Sequence, residues 1–188
     1  MPGDSQRKVA AVIGGGVIGG GWAARFLLHG WDVRVFDPDP EAERKINEVL
    51  GNARRSLPGI YNEVLPAEGD VQFTGSIAEA VTDAQWIQES VPERLEVKHA
   101  VYPEIQAAAR DDAVLASSTS GFKPSQLAEG AVNPGQILVA HPYNPVYLLP
   151  LVEIVQHPHS DAKILADAML IARSIGMKPV LIKKEIDA

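Results

Sequence analysis

The chain has 188 residues, of which 46% are hydrophobic and 22% are charged, the balance of one ordinary globular domain. It contains no cysteine, which excludes disulfides, thiolate metal sites and a cysteine nucleophile. The formal net charge of −7 opposes binding to nucleic acid. No apolar N-terminal segment resembles a signal peptide, and the longest apolar run, residues 148–155, is too short to cross a bilayer. We therefore expect a cytoplasmic protein that binds neither nucleic acid nor membrane.

Runs of apolar residues alternate with segments of helical periodicity along almost the whole chain. The first run, residues 9–13, is continuously apolar, as in a strand buried on both faces of a sheet. Glycines and a helix at 22–28 follow, and a second strand at 32–36 ends before Asp37. Beyond it we predict a helix at 41–56, a strand at 71–74, a short helix at 77–81, a strand at 86–88, a helix at 94–110, a strand at 114–117, a helical turn at 124–128, strands at 137–140 and 151–155, a helix at 162–175 and a strand at 179–182.

This alternation predicts a doubly wound α/β fold, in which right-handed β-α-β crossovers place helices on both faces of a mainly parallel sheet. We find no internal repeat and no low-complexity segment, so we interpret residues 1–188 as one domain. The chain ends directly after the last predicted strand, which indicates either a domain boundary or a chain that has been cut there.

A glycine-rich loop follows the first strand. Residues 14–19 match G-x-G-x-x-G, the pattern of a Rossmann-type dinucleotide-binding loop. Gly14 permits a tight turn, Gly16 lets the backbone approach a pyrophosphate, and Gly19 lets the following helix pack closely. The free N–H groups at the start of that helix attract phosphate. The candidate cofactor-binding residues of this loop are Gly14, Gly15, Gly16, Val17, Ile18 and Gly19.

A carboxylate at the end of the second strand completes the pattern. Asp37 follows Gly14 by roughly 20 residues, the spacing expected for such an acid. Its side chain can accept hydrogen bonds from the adenosine ribose hydroxyls and repel a 2′-phosphate. The sequence therefore predicts NAD, rather than NADP, as the cofactor. The alternative is a glycine-rich turn followed by a loop aspartate.

His141 and Glu153 form a candidate acid–base pair. His141 directly follows a predicted strand, and Glu153 shares one face of the next strand with Leu151 and Val155. A carboxylate with apolar neighbours is costly unless it is paired. A strand, turn and returning strand can bring the two side chains together, and an imidazole held by a carboxylate is a good general base. The alternative is a loop histidine with satisfied hydrogen bonds and a glutamate on an exposed sheet edge.

Hydroxyl side chains from Ser117 to Ser120 follow another buried strand, at the edge of the sheet where open α/β folds bind ligands. They can hold a substrate oxygen, or they can serve as cap and turn groups ahead of Pro124. His157 and His159 lie close together in a loop but lack a third ligand, so we predict no metal site.

Four segments together resemble the 3-hydroxyacyl-CoA dehydrogenase superfamily. They are the glycine loop, Gln-Glu-Ser-Val-Pro-Glu at 88–93 with Lys98, the hydroxyl-rich segment 117–120, and His-Pro-Tyr-Asn-Pro at 141–145 continuing to Glu153. The resemblance extends from Val9 to Ile186. It implies a dehydrogenase that uses NAD to oxidise the 3-hydroxyl of a small acid.

The resemblance also implies roles for individual residues. His141 matches the catalytic base and Glu153 the carboxylate that orients it. Ser120 matches a serine that contacts the substrate oxygen, and Asn144 an asparagine that orients substrate and cofactor. Glu93 and Lys98 match positions near the nicotinamide ribose, but the residues alone predict solvated charges at the start of a helix there.

The sequences of residues 87–95 and 141–153 are most similar to those of members that oxidise L-carnitine, followed by those of members that oxidise L-gulonate. A 3-hydroxyacyl-CoA substrate is less favoured, because CoA-using members carry lysines after the second strand and only Lys45 lies between Asp37 and Lys98 here. A non-catalytic NAD-binding or structural protein is the alternative from another class. Members continue into an all-helical domain that closes the substrate pocket and forms a homodimer; that domain is absent from this chain.

Overall fold

The architecture is taken from a computed structural model that describes residues 8–61 and 64–185. The strands are β1 Val9–Ile13, β2 Asp32–Phe36, β3 Val71–Phe73, β4 Trp86–Glu89, β5 Val114–Ser117, β6 Ile137–Pro142, β7 Leu151–Val155 and β8 Lys178–Ile182. The helices are α1 Val17–Leu28, α2 Ala42–Ser56, α3 Ile77–Val81, α4 Leu95–Ala108, α5 Pro124–Leu127 and α6 Ala162–Ser174. Short 3-10 turns occupy Leu57–Ile60 and Pro134–Gln136.

All eight strands form one sheet in the order β3-β2-β1-β4-β5-β6-β7-β8. The first six run parallel, β7 returns antiparallel to β6, and β8 runs parallel to β7. The strand order reverses direction at β1, which opens a crevice at the carboxyl ends of β1 and β4. The predicted Rossmann-type, doubly wound fold with a mainly parallel sheet is confirmed.

Helix α1 begins earlier than its apolar periodicity predicts, at Val17 rather than at residue 22. The reason is that Gly19, Gly20 and Gly21 lie inside the helix, where they contribute no side chain to the pattern. Close contacts require small residues there: a Cβ on Gly21 would lie 2.7 Å from the Cβ of Val146. Tertiary packing therefore overrides the poor helix propensity of glycine.

Hydrophobic residues cover both faces of the sheet. One buried cluster includes Trp22, Phe26 and Trp86 and packs α1, α2 and α6 against the sheet. The other, which includes Tyr102 and Ile105, packs α3, α4 and α5 against the opposite face. The two layers hold the carboxyl ends of the parallel strands in fixed relative positions, and the connecting loops meet there.

The face of β7 that carries Glu153 is less covered than its reverse. Val152 and Ile154 are fully buried against the α6 layer. On the other face Leu151 is 38% exposed, and Val180 of β8, which lies opposite Glu153, is 47% exposed. Glu153 is therefore accessible from outside the sheet. None of the helices within the described residues is both long and apolar enough to span a membrane.

Candidate active site

The glycine loop makes a tight turn between β1 and α1. Gly14 has a φ of 102° and donates its N–H to the Phe36 carbonyl at 2.9 Å, and a Cβ there would lie 2.5 Å from the Ser90 carbonyl oxygen. A Cβ on Gly19 would lie 1.9 Å from the Gly14 carbonyl oxygen, whereas one on Gly16 would meet no atom within 4 Å. Gly14 and Gly19 thus have no room for a side chain within the fold, while Gly16 faces open space.

A cavity of about 490 Å³ lies beside this loop at the carboxyl ends of β1, β2 and β4. Its lining includes Gly14, Gly15, Gly16, Asp37, Asp39, Lys45, Ser90, Val91 and Pro92. The Asp37 carboxylate accepts the N–H of Gly15 at 2.5 Å and that of Asp39 at 2.7 Å. Val17 is 64% exposed in the first turn of α1, and Ile18 is half-buried against the core. An open backbone at Gly16, a helix N-terminus and an acid at β2 suit a dinucleotide.

The antiparallel return of β7 places His141 and Glu153 side by side. They are directly paired residues of β6 and β7, and paired residues project from the same face of a sheet. His141 Nδ1 lies 3.0 Å from Glu153 Oε2, and both side chains are about one-third exposed. The Tyr143 ring lies 5.4 Å from the imidazole. The charge of Glu153 raises the pKa of the Tyr143 hydroxyl.

A second cavity, of about 220 Å³, opens in front of this pair. Its lining includes Thr119, Ser120, Gly121, Phe122, Val139, His141 and Glu153. Three of the four predicted catalytic residues, Ser120, His141 and Glu153, therefore share one cavity. Asn144 does not line it: this residue lies in the exposed loop after β6 and precedes a cis peptide bond to Pro145.

Glu93 anchors the loop that carries Ser120. Its Oε1 accepts the N–H groups of Ser120 at 3.2 Å and Gly121 at 3.1 Å, together with the hydroxyl of Thr119. Burial alone would raise the pKa of Glu93, but the hydrogen bond from Thr119 and the charge of Lys98 outweigh it and hold that pKa below its usual value. The Thr119 hydroxyl also accepts the N–H of Phe122 at 3.1 Å. The segment from Thr119 to Phe122 is thus part of a cavity wall. It is also a hydrogen-bonded turn, which is what the alternative of cap and turn groups predicts for the hydroxyl-rich residues.

Lys98 is a buried residue, and its interpretation as a solvated charge is wrong. Its side chain is 1% exposed and lies between Glu89 and Glu93, at 2.9 Å and 3.1 Å from their carboxylate oxygens. Glu89 itself is fully buried and also accepts hydrogen bonds from Tyr102 and Ser117. Glu89 and Ser117 lie within the motifs found in the sequence, but sequence reasoning predicts no contact between them and misses Tyr102. The available signal was a carboxylate at the end of a buried strand, which requires a partner.

The two loop histidines have structural contacts. His157 is 4% exposed, its Nε2 lies 3.1 Å from the Pro134 carbonyl oxygen, and its Nδ1 lies 3.3 Å from the N–H of His159. Over residues 8–61 and 64–185, no group of three or more His, Asp or Glu side chains could hold a metal ion.

Comparison with known proteins identifies the family. Residues 9–186 match the family described as 3-hydroxyacyl-CoA dehydrogenase, NAD binding domain. The chain belongs to this family. The resemblance that the motifs predict is therefore confirmed, and so is NAD as the cofactor.

Several proteins are similar to this NAD-binding domain. It is 64% identical over 179 residues to L-carnitine dehydrogenase/betainyl-CoA thioesterase of Ruegeria pomeroyi, covering 95% of this chain and 37% of that protein. It is 54% identical over 180 residues to L-carnitine dehydrogenase of Mesorhizobium japonicum, covering 95% of this chain and 50% of that protein. The chain thus spans half or less of the length of these two curated relatives.

A solved structure shares the fold. The NAD+ dependent dismutase 5-formyl-3-hydroxy-2-methylpyridine 4-carboxylic acid 5-dehydrogenase superposes with a TM-score of 0.87 at 31% identity. The match covers 97% of this chain and 59% of that one. The domain therefore occurs as one part of longer dehydrogenase chains.

Proposed function

We propose that residues 1–188 form the NAD-binding domain of a dehydrogenase that oxidises the 3-hydroxyl of L-carnitine to 3-dehydrocarnitine. The observation that carries this proposal is the pairing of His141 with Glu153 at 3.0 Å in a cavity shared with Ser120. The similarity to relatives named L-carnitine dehydrogenase supports the choice of substrate.

The chain's own residues supply the acid–base chemistry in this proposal. With Nδ1–H donating to Glu153, the imidazole of His141 keeps Nε2 free to accept the proton of the 3-hydroxyl. Glu153 stays ionised and stabilises the imidazolium that forms. Ser120 would hold the reacting oxygen in the cavity. Asn144, which does not line that cavity, would orient substrate and cofactor from the loop after β6, the role that the family resemblance implies. Bound NAD supplies the acceptor for the hydride that leaves C3, so that the C–H and O–H bonds are lost as a carbonyl forms.

The cofactor-binding residues follow from the first cavity. The backbone of Gly14, Gly15 and Gly16 and the first turn of α1 with Val17, Ile18 and Gly19 would hold the pyrophosphate. Asp37 would accept the adenosine ribose hydroxyls. Glu93 and Lys98 would lie at the nicotinamide ribose, a placement supported by their position between the two cavities.

Aromatic side chains near the pair offer faces to a quaternary ammonium group. Phe122 lines the cavity of His141, and Tyr143 lies beside the imidazole. Trp22 is fully buried in the core and Tyr147 packs against it, so neither is available. We therefore propose Phe122 and Tyr143 as the contacts of a cationic substrate.

The decisive mutations are His141→Ala and Glu153→Gln in the intact protein. Each should lower kcat by about 100- to 10,000-fold, the usual contribution of general-base catalysis, while NAD affinity stays close to that of the wild type. His159→Ala removes an exposed histidine outside both cavities and serves as the control with normal turnover. Undiminished turnover in both active-site variants would rule out the pair as the base.

A substrate panel separates the alternatives. L-Carnitine, L-gulonate and 3-hydroxybutyryl-CoA should be compared by kcat/KM with the intact protein and NAD, and L-carnitine should give the highest value. Binding of NAD without turnover of any of them would favour a non-catalytic role. The homodimer implied by the family belongs to the same proposal, and sedimentation of the intact protein tests it.

A further inference from the structure

A cluster of buried polar side chains, which we name the Glu89 network, lies between the two cavities. It consists of Glu89, Lys98, Tyr102 and Ser117, each at most 1% exposed. Oε1 of Glu89 accepts Lys98 Nζ and the N–H of Val91, both at 2.9 Å. Oε2 accepts Tyr102 OH at 2.9 Å and Ser117 Oγ at 2.6 Å. Both carboxylate oxygens are therefore fully engaged.

The network contacts both cavities through different atoms. Val91, held by its N–H, lines the 490 Å³ cavity beside the glycine loop. Lys98 also pairs with Glu93, which holds the N–H groups of Ser120 and Gly121 in the wall of the 220 Å³ cavity. A displacement of the Glu89 carboxylate would consequently shift one wall of each cavity relative to the other.

Stability alone does not explain this arrangement. Burying an ion pair costs desolvation energy, and apolar residues of similar volume are often as stable or more so. Together with the adjoining Glu93, the network sets two carboxylates against the one ammonium of Lys98, and hydroxyl and N–H donors balance the surplus negative charge. Burial, with the adjacent Glu89 charge, raises the pKa of Tyr102 well above its usual value, so its hydroxyl remains a donor.

We propose that Glu89 is a positioning residue which, through Lys98 and Glu93, holds the nicotinamide end of the cofactor site in register with the cavity of His141 and Ser120. This inference rests on the proposed function, because it places the nicotinamide end of NAD between the two cavities. It predicts that weakening the network disturbs binding of the nicotinamide end while the adenosine end, held by the glycine loop and Asp37, is unaffected.

The test uses two variants, Tyr102→Phe and Ser117→Ala. Each removes one hydroxyl that donates a hydrogen bond to Glu89 and retains the remaining packing. The control is Tyr61→Phe, whose lost hydroxyl bonds Arg25 on the opposite side of the sheet. Dissociation constants are measured calorimetrically with the chain for NADH and for ADP-ribose, which lacks the nicotinamide ring. Both network variants should weaken the binding of NADH at least about threefold more than the binding of ADP-ribose, as expected for one lost hydrogen bond to a charged group. The control should leave the ratio of the two constants unchanged.

The outcomes distinguish this inference from the proposed function. An unchanged ratio in folded Tyr102→Phe and Ser117→Ala would overturn the positioning role while leaving NAD binding intact. A wild-type chain that binds neither ligand would overturn the proposed function. Thermal unfolding checks each variant, and Ser117→Ala carries the test if Tyr102→Phe does not fold.

Discussion

Two glycines of the same loop have different physical reasons for lacking a side chain. A Cβ on Gly19 would collide with the Gly14 carbonyl oxygen, so this position is constrained by packing inside the fold. A Cβ on Gly16 would project into free space, so the fold itself does not require glycine there. We therefore propose that glycine at position 16 serves a ligand that approaches the backbone.

This difference predicts opposite behaviour for two alanine variants. Gly19→Ala should lower the free energy of unfolding by about 1–3 kcal/mol, as overpacking does. Gly16→Ala should change it by less than about 1 kcal/mol and yet weaken NAD binding at least about tenfold, which corresponds to 1.4 kcal/mol. Urea unfolding and calorimetric titration measure the two quantities. Normal NAD affinity in Gly16→Ala would contradict the assigned pyrophosphate site.

At the scale of elements, the register of β6 with β7 places His141 beside Glu153, and Glu93 links Lys98 of α4 to the loop after β5. One residue of slippage in β7 would turn Glu153 to the face occupied by Val152 and Ile154, which are buried against α6. The burial of Val152 and Ile154 in the core thus fixes the face of the sheet on which the Glu153 carboxylate lies. Glu93 adds a second constraint by holding three donors of the Ser120 loop.

Glu93 should contribute stability that depends on pH. Its pKa is lower in the folded chain than its usual value, because hydrogen bonds from Thr119 and the charge of Lys98 outweigh burial. A carboxyl with a lowered folded pKa stabilises the fold above the unfolded pKa of about 4.3. That contribution is lost as the pH falls through the folded pKa.

Glu93→Gln measures this contribution directly. The variant should be less stable than the wild type at pH 6, and the difference in unfolding free energy should shrink steadily below pH 4.5. Glu129→Gln, at an exposed surface position, is the matched control and should show a small difference that does not vary with pH. A Glu93→Gln difference of constant size from pH 6 to pH 3 would show that the carboxylate charge is not involved.

At the scale of the whole molecule, the sheet brings together loops that are far apart in the chain. The first cavity is built from the ends of β1, β2 and β4, and the second from the loop after β5 with β6 and β7. The Glu89 network fills the space between them. One layer of strands thus places the cavity beside the glycine loop next to the cavity of His141 and Glu153.

Because the cofactor binds only the folded arrangement, it should stabilise the whole domain. NAD at 100 times its dissociation constant should raise the free energy of unfolding by about 2.7 kcal/mol. NADP at the same concentration should raise it less, since we expect Asp37 to repel the 2′-phosphate. Asp37→Asn should narrow the difference between the stabilisation by NAD and that by NADP. Asp83→Asn changes the net charge equally at an exposed pair with Arg34 and should preserve it. Equal stabilisation of the wild type by both cofactors would refute the role of Asp37.

The sequence by itself determined the order of strands and helices, the glycine loop and the choice of NAD. These features depend on local patterns: apolar periodicity, glycines at fixed spacing and an acid after β2. The start of α1 was placed too late, because three glycines within the helix hide its periodicity. Glu153 could be singled out as a carboxylate among apolar residues, but its partner could only be proposed.

Only the tertiary structure decided which distant side chains meet. The contact of His141 with Glu153 depends on the antiparallel register of two strands, and that of Lys98 with Glu89 on how α4 packs over β4. The sequence predicts a solvated charge at Lys98, because nothing in the pattern of the surrounding polar helix indicates that this side chain is buried. Charged side chains form a network when the fold removes them from water and leaves them only one another as hydrogen-bond partners. This burial is a property of the packed chain.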